Sequence, residues 1–146
     1  VSIFVDTNVL VYARDAGEPD KQPQAARWLE YIWRSQRGRL STQVLGEYYV
    51  TVTRKLRPGL SVEEARRELR SLMAWDPLPV SAAVIELAWS LQDRFSLSYW
   101  DAQILGAAQI AGCSLLLTED LQDGQVFDGL TVVNPFRHEP GNDLLA

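Results

Sequence analysis

The sequence predicts an α/β fold, a parallel sheet covered by helices on both faces. Three observations carry that expectation. Short apolar, strand-like runs punctuate the chain: VSIFV, GRLSTQ, PLPVS, CSLLLT and LTVVNP. Longer stretches between them repeat their apolar residues at helical spacing. The 146 residues contain no repeat, low-complexity tract or linker, which suits one domain with one core. That domain is expected over 1–136, followed by a loose tail from 137 to 146.

VSIFV is the first strand and runs into Asp6. TNVLVYARD reads as a short helix, stopped near Gly17 and Pro19. Residues 21–37 form a longer helix, with Ala25, Trp28, Leu29, Ile32 and Trp33 on one face. GRLSTQ is a short strand after Gly38. Residues 43–57 are helical by period, with Leu45, Tyr48, Val52 and Leu56 aligned, and Pro58-Gly59 ends the run. Ser61 and Glu64 match a capping box that opens the next helix, which Pro77 closes. PLPVS is a brief strand. Residues 82–95 form a helix with Val84, Leu87, Ala88 and Leu91 inward, and 98–112 a buried one ended by Gly112. CSLLLT and LTVVNP complete the sheet.

The charge is unevenly spread. The chain is −5 overall, yet residues 27–70 hold ten of the 14 basic residues and only five acids, which makes that segment +5 and the rest −10. A basic lobe beside an acidic remainder suits a protein that touches phosphates with one part and gathers carboxylates in another; a solvated helical surface laced with ion pairs gives the same pattern. No apolar run approaches the roughly 18 residues needed to span a bilayer, and nothing at the N-terminus reads as an export signal. The single cysteine, Cys113, forms no internal disulfide, so the cytoplasm is the expected compartment.

Ligands of parallel sheets bind at the carboxyl ends of the strands, near the point where strand order reverses. Asp6 follows the first strand there, and Asp120 follows SLLLT. Each also reads as a helix or turn cap. Two more acids lie on helix faces. Glu47 borders the apolar face of its helix, one turn from Val44 and Thr51. Asp101 shares a face with Ile104, Leu105 and Ala108, which are expected to be buried. A capping box from Ser98 is the structural alternative for Asp101. A buried carboxylate is costly unless it is paired, hydrogen-bonded or bound to a metal. Basic residues are scarce around these acids in sequence, and converging carboxylates raise one another's pKa. A divalent cation relieves that repulsion, and all-oxygen donors favour Mg²⁺ or Mn²⁺ over zinc. The one histidine, His138, lies in the tail and is expected to be inert. Cys113, between a helix-ending glycine and a buried strand, reads as a structural thiol.

Four stretches, FVDTNVLVYA, LGEYY, SYWDA and LLLTEDL, appear in an order and at separations that resemble the PIN-domain nucleases, within them the VapC-type toxins of toxin–antitoxin pairs. The resemblance spans residues 4–121. It implies a PIN-like three-layer fold with a central five-stranded parallel sheet. It also implies that Asp6, Glu47, Asp101 and Asp120 form an acidic quartet binding Mg²⁺ or Mn²⁺, with Asn8 and Thr118 as polar neighbours. Glu119 and Asp123 are further acids that compete for the fourth position. The implied activity is metal-dependent endoribonuclease cleavage of RNA by an activated water. Asp6 and Asp101 are then the best candidates for direct ligands. The implied partners are a homodimer mate and an antitoxin that grips the large apolar side chains of 24–33 and 45–75 and inserts a basic group among the acids. Two other readings stand beside it: a non-catalytic PIN-like binding module, and a phosphohydrolase with an Asp after its first strand. The second wants another Asp at position 8, where this chain has Asn8, and a lysine late in the chain, where the last is Lys55.

Overall fold

The computed structural model describes residues 1–145. Its strands are β1 (Ile3–Val5), β2 (Gly38–Arg39), β3 (Leu115–Leu117), β4 (Val126–Phe127) and β5 (Leu130–Val133). Its helices are α1 (Thr7–Tyr12), α2 (Lys21–Ser35), α3 (Thr42–Val50), α4 (Val62–Leu72), α5 (Ala82–Phe95) and α6 (Tyr99–Ile110). The strands form one sheet in the order β2-β1-β3-β5-β4. Every residue of β1 and β3 is buried. Successive side chains of a strand point to opposite faces, so both faces of the sheet's centre are covered. From β1 the chain crosses to one side to make β2 and later to the other to make β3. The order therefore reverses between β1 and β3, where a crevice opens at their carboxyl ends.

The sheet departs from the expected one at its last strand. β2, β1, β3 and β5 are parallel, but β4 runs antiparallel to β5. Asp128 and Gly129 join the two, both with positive φ (50° and 90°), the conformation of a tight two-residue hairpin turn. PLPVS is not a strand. Pro77 and Pro79 lack N–H groups, so only Leu78 pairs, through a single bridge to Ser41.

The helices start where side chains cap them. Ser41, Ser61, Ser81 and Ser98 each accept the backbone N–H three residues on. The helix expected over 43–57 changes character at its end. Residues Thr51–Lys55 form a π turn, closed by Leu56 N–H to the Thr51 carbonyl at 3.0 Å. Gly59 approaches so closely that a β-carbon there would lie 2.6 Å from the Val52 carbonyl oxygen.

Of the large apolar side chains of 24–33 and 45–75, Trp28, Tyr48, Leu72 and Trp75 are buried, whereas Trp33 is 41% exposed. Of the expected tail, Ala146 lies outside the described residues. Residues ahead of it contact α2: the Trp28 indole N–H donates to the carbonyls of Pro135 and His138, both at 3.0 Å. The His138 ring lies 2.8 Å from an Asp123 carboxylate oxygen. No described helix is long and apolar enough to cross a membrane.

Gly38 is buried in β2 with Ile32 and the Trp75 ring against it. A β-carbon there would lie 2.7 Å from each. Gly38→Ala is expected to destabilise the chain by about 1–3 kcal/mol in urea unfolding; an unchanged midpoint would contradict this packing.

Candidate functional site

The site begins with strand register. β1 pairs with β3 so that Val5 lies opposite Leu117, and the next residues of each strand, Asp6 and Thr118, emerge side by side. Asp6 is 7% exposed and Thr118 is fully buried. The Thr118 hydroxyl donates to Asp6 Oδ2 at 2.8 Å, and the Thr7 N–H donates to Asp6 Oδ1 at 2.7 Å. Asp6 is thus the N-cap of α1. That settles its local geometry but brings no positive charge.

Asn8 ties the second acid to the first. Its amide donates to Asp6 Oδ2 at 3.2 Å, to Thr118 Oγ1 at 3.1 Å and to Asp120 Oδ2 at 3.1 Å. Its carbonyl oxygen accepts from Glu119 N–H at 3.4 Å, while Asp120 N–H donates to Thr118 Oγ1 at 3.1 Å. An aspartate at position 8 would lack the donor that this bridge needs and add a further charge.

Glu47 arrives from α3. Its carboxylate accepts from the Thr7 hydroxyl at 3.4 Å and from the Gln43 amide at 2.6 Å. Gln43 in turn accepts from Gln103 of α6 at 2.7 Å, and Gln103 is only 5% exposed. Asp101, half-buried at the start of α6, gives its N–H to Ser98 Oγ at 3.2 Å. The reciprocal bond of a full capping box is absent, and no described side chain hydrogen-bonds its carboxylate. Asp101 is not among the residues lining the cleft, but its charge reaches Asp120.

The competing acids face other partners. Glu119 accepts from the Tyr12 hydroxyl and pairs with Lys21 at 2.9 Å. Asp123 is held by His138 and by the Asn134 N–H at 2.9 Å. The cleft itself, about 390 Å³, is lined by Asp6, Thr7, Asn8, Glu47, Thr51 and Asp120, with Val11, Tyr12, Asp15 and Glu18.

The electrostatics follow from burial. Loss of solvent raises Asp6 from its ordinary 3.8 to about 7, despite the Thr118 and Thr7 hydrogen bonds, and the charges of Asp120 and Glu47 push the same way. Burial also raises Asp120 against the hydrogen bond from Asn8, and Asp101 and Glu119 add to the rise. Among the described residues, none of Asp6, Glu47, Asp101 and Asp120 forms an ion pair. The donor set is all oxygen, one member buried without a countercharge, which suits a hard divalent cation. No three described acid, histidine or cysteine side chains are gathered to grip one ion as they stand.

Gln43, Gln103 and Thr7 are the site residues that sequence reasoning missed. Gln43 stands four residues before Glu47 on the same helical face, a readable signal. Gln103 carries none, because its partner is 60 residues away.

A mostly parallel sheet with an acidic cleft at its switch point defines a class of domain, and sequence comparison specifies it. The chain belongs to the PIN domain family, whose profile matches residues 3–123. No curated relative matches the chain by sequence. Among solved structures it is similar to a toxin–antitoxin complex from Klebsiella pneumoniae, with 24% identity and a TM-score of 0.68 over 96% of this chain and 100% of that one. It is similar to VapC20 of Mycobacterium tuberculosis, a sarcin–ricin-loop-cleaving toxin, with 27% identity and a TM-score of 0.61 over 79% and 87% of the two chains. VapBC2 of Rickettsia felis, solved with promoter DNA, shares the fold at 18% identity and a TM-score of 0.60, over 90% and 97%.

Two predictions follow from the geometry. Asp6 keeps its proton up to about pH 7 in the folded chain and loses it near 3.8 when unfolded. The folded state therefore binds more protons between those values, and metal-free stability falls as pH rises through that window. In EDTA at pH 8, Asp6→Asn is expected to be more stable than the parent by at most about 4 kcal/mol, the gap closing below pH 4. A pH-independent gap would contradict the burial cost. Gln103→Leu leaves the Gln43 carbonyl oxygen without its donor and is expected to lower stability by about 1–3 kcal/mol in urea unfolding; an unchanged midpoint would remove the relay.

Proposed function

We propose that this chain is a Mg²⁺- or Mn²⁺-dependent endoribonuclease, the toxin of a type II toxin–antitoxin pair. The observation that carries the reading is the set of acids Asp6, Glu47 and Asp120, with Asp101 coupled to them, around one cleft without a cationic side chain paired to any. Membership of the PIN family and the toxin–antitoxin proteins among its structural relatives support it.

Asp6 and Asp101 would hold the cation, with Glu47 and Asp120 completing its surroundings. When bound, the cation lowers the pKa of a water and neutralises charge on the phosphoryl oxygens. The chain's own residues do the rest. Thr118 and Thr7 N–H fix the Asp6 carboxylate against rotation. Asn8 holds Asp120 beside it without adding charge. The relay Gln103–Gln43 presents one oxygen of Glu47, and Thr7 holds the other. Glu47 is thereby placed to orient a water or take its proton. Burial of Asp6 excludes bulk water from one side of the cleft.

The antitoxin surface we assign is the groove of about 570 Å³ between α1, α2, α3 and α4, lined by Leu10, Leu29, Trp33, Tyr48 and Leu72 with Arg14 and Glu68. In this reading the chain acts as a cytoplasmic homodimer.

The test pairs cleavage with metal binding. Asp6→Asn and Asp101→Asn are each expected to reduce RNA cleavage at least about 100-fold while folding normally. Mn²⁺ should raise the melting temperature of the parent and not that of Asp6→Asn. Full cleavage by both variants would sink the site. A parent that binds no Mn²⁺ at millimolar concentration would favour the non-catalytic module instead.

A further inference from the structure

Eight of the 14 Lys and Arg side chains form no ion pair with any described residue, and six of those lie between positions 54 and 70. They are Arg54, Lys55, Arg57, Arg66, Arg67 and Arg70, and all are exposed. Of the three acids in the same stretch, Glu63 is exposed and forms no ion pair with a described residue, and the other two have partners of their own. Glu64 caps α4 with Ser61, and Glu68 binds Arg14 and the Tyr48 hydroxyl. Arg27, Arg34 and Arg39 of the wider basic segment are ion-paired, so the surface laced with ion pairs that the charge pattern allowed stops short of residues 54–70, whose cations are solvated and unpaired.

The backbone aims these cations. Gln43, Glu47, Thr51 and Lys55 are spaced by four, and Glu47 and Thr51 line the acidic cleft. In an uninterrupted α-helix each such step drifts roughly 40° around the axis, which would carry Lys55 away from Glu47. The π turn over Thr51–Lys55 advances less per residue and reverses part of that drift. By that geometry Lys55 comes back toward the azimuth of Glu47 and Thr51, one turn beyond the cleft lining. The turn is anchored: Val52 is fully buried, and its carbonyl accepts Leu60 N–H at 2.9 Å. Arg66 of α4 donates to the Tyr49 hydroxyl at 3.3 Å, which ties this cation to α3.

We propose that this surface is the track on which the phosphate backbone of single-stranded RNA lies as it enters the cleft past Thr51. The proposal rests on the nuclease reading. A cleft ringed by carboxylates repels a polyanion, so the substrate needs an attractive surface continuous with it. Guanidinium groups match phosphate geometry, and five of the six cations are arginines. Continuity with the cleft selects RNA over an acidic protein, because Thr51 both lines the cleft and begins the π turn that ends at Lys55.

The experiment measures binding of a fluorescent single-stranded RNA by anisotropy in EDTA, across a range of salt. Arg54→Gln/Lys55→Gln and Arg66→Gln/Arg70→Gln are expected to bind about ten-fold more weakly and to lose about 0.7 of the log–log salt slope per cation removed. Arg34→Gln, the loss of one cation on α2, should leave the slope unchanged, against the per-cation loss expected of the double variants. Parental slope in both double variants would overturn the track. So would intact RNA binding with lost binding to an acidic protein. Cleavage by the parent is scored separately in Mn²⁺: slope loss without cleavage keeps the track and removes the nuclease, whereas cleavage with unaltered slopes does the reverse.

Discussion

The carboxylate of Asp6 is buried at the end of β1, and what satisfies it decides where the rest of the site sits. Thr118 can reach it only because β1 and β3 pair in a register that places Val5 opposite Leu117. Asn8 can bridge it to Asp120 only because α1 starts immediately after it. Two hydrogen bonds and an amide do not replace a countercharge, and the group's pKa stays near 7. The fold therefore carries a standing electrostatic cost at one place. Such a cost is tolerated where a cation or a reacting group relieves it.

The second acid source depends on tertiary contacts rather than on strand register. Glu47 is exposed on α3 and would be free to rotate without Gln43 and Thr7. Gln43 is set by Gln103, buried in the helix that also carries Asp101. Helix α6 is thus tied to α3 through the relay, so a shift of α6 is felt at the Glu47 carboxylate. Thr51 belongs both to the cleft lining and to the π turn, so the cleft and the proposed track share one scaffold.

Much of this was legible in the sequence because its signals are local. An acid at the end of an apolar strand, serine caps at Ser61 and Ser98 and apolar periodicity locate most of the elements, whereas Ser41 and Ser81, read as strand residues, prove to be caps. The Asp128-Gly129 hairpin was missed although that dipeptide marks a tight turn, because the preceding strand is only two residues long and shows no alternation. PLPVS misled because its apolar content resembles a strand while its prolines forbid the ladder. The site was less legible than the fold. Glu119 and Asp120 are neighbours, and the side each one faces is decided by Lys21, Tyr12 and Asn8, far away in the chain. The Gln103–Gln43 relay and the π turn leave no sequence pattern, because one is made by contacts 60 residues apart and the other by packing around Val52 and Gly59.

The central claim is that Asp6 is an uncompensated buried carboxylate awaiting a cation, and it can be read at that carboxyl. A ¹³C NMR titration of the Asp6 side-chain carbon, with and without Mg²⁺, reports its protonation directly. The structure predicts a midpoint near 7 in the metal-free chain, falling well into the ordinary carboxylate range when Mg²⁺ is added. An ordinary midpoint in the metal-free chain that Mg²⁺ does not move would contradict it.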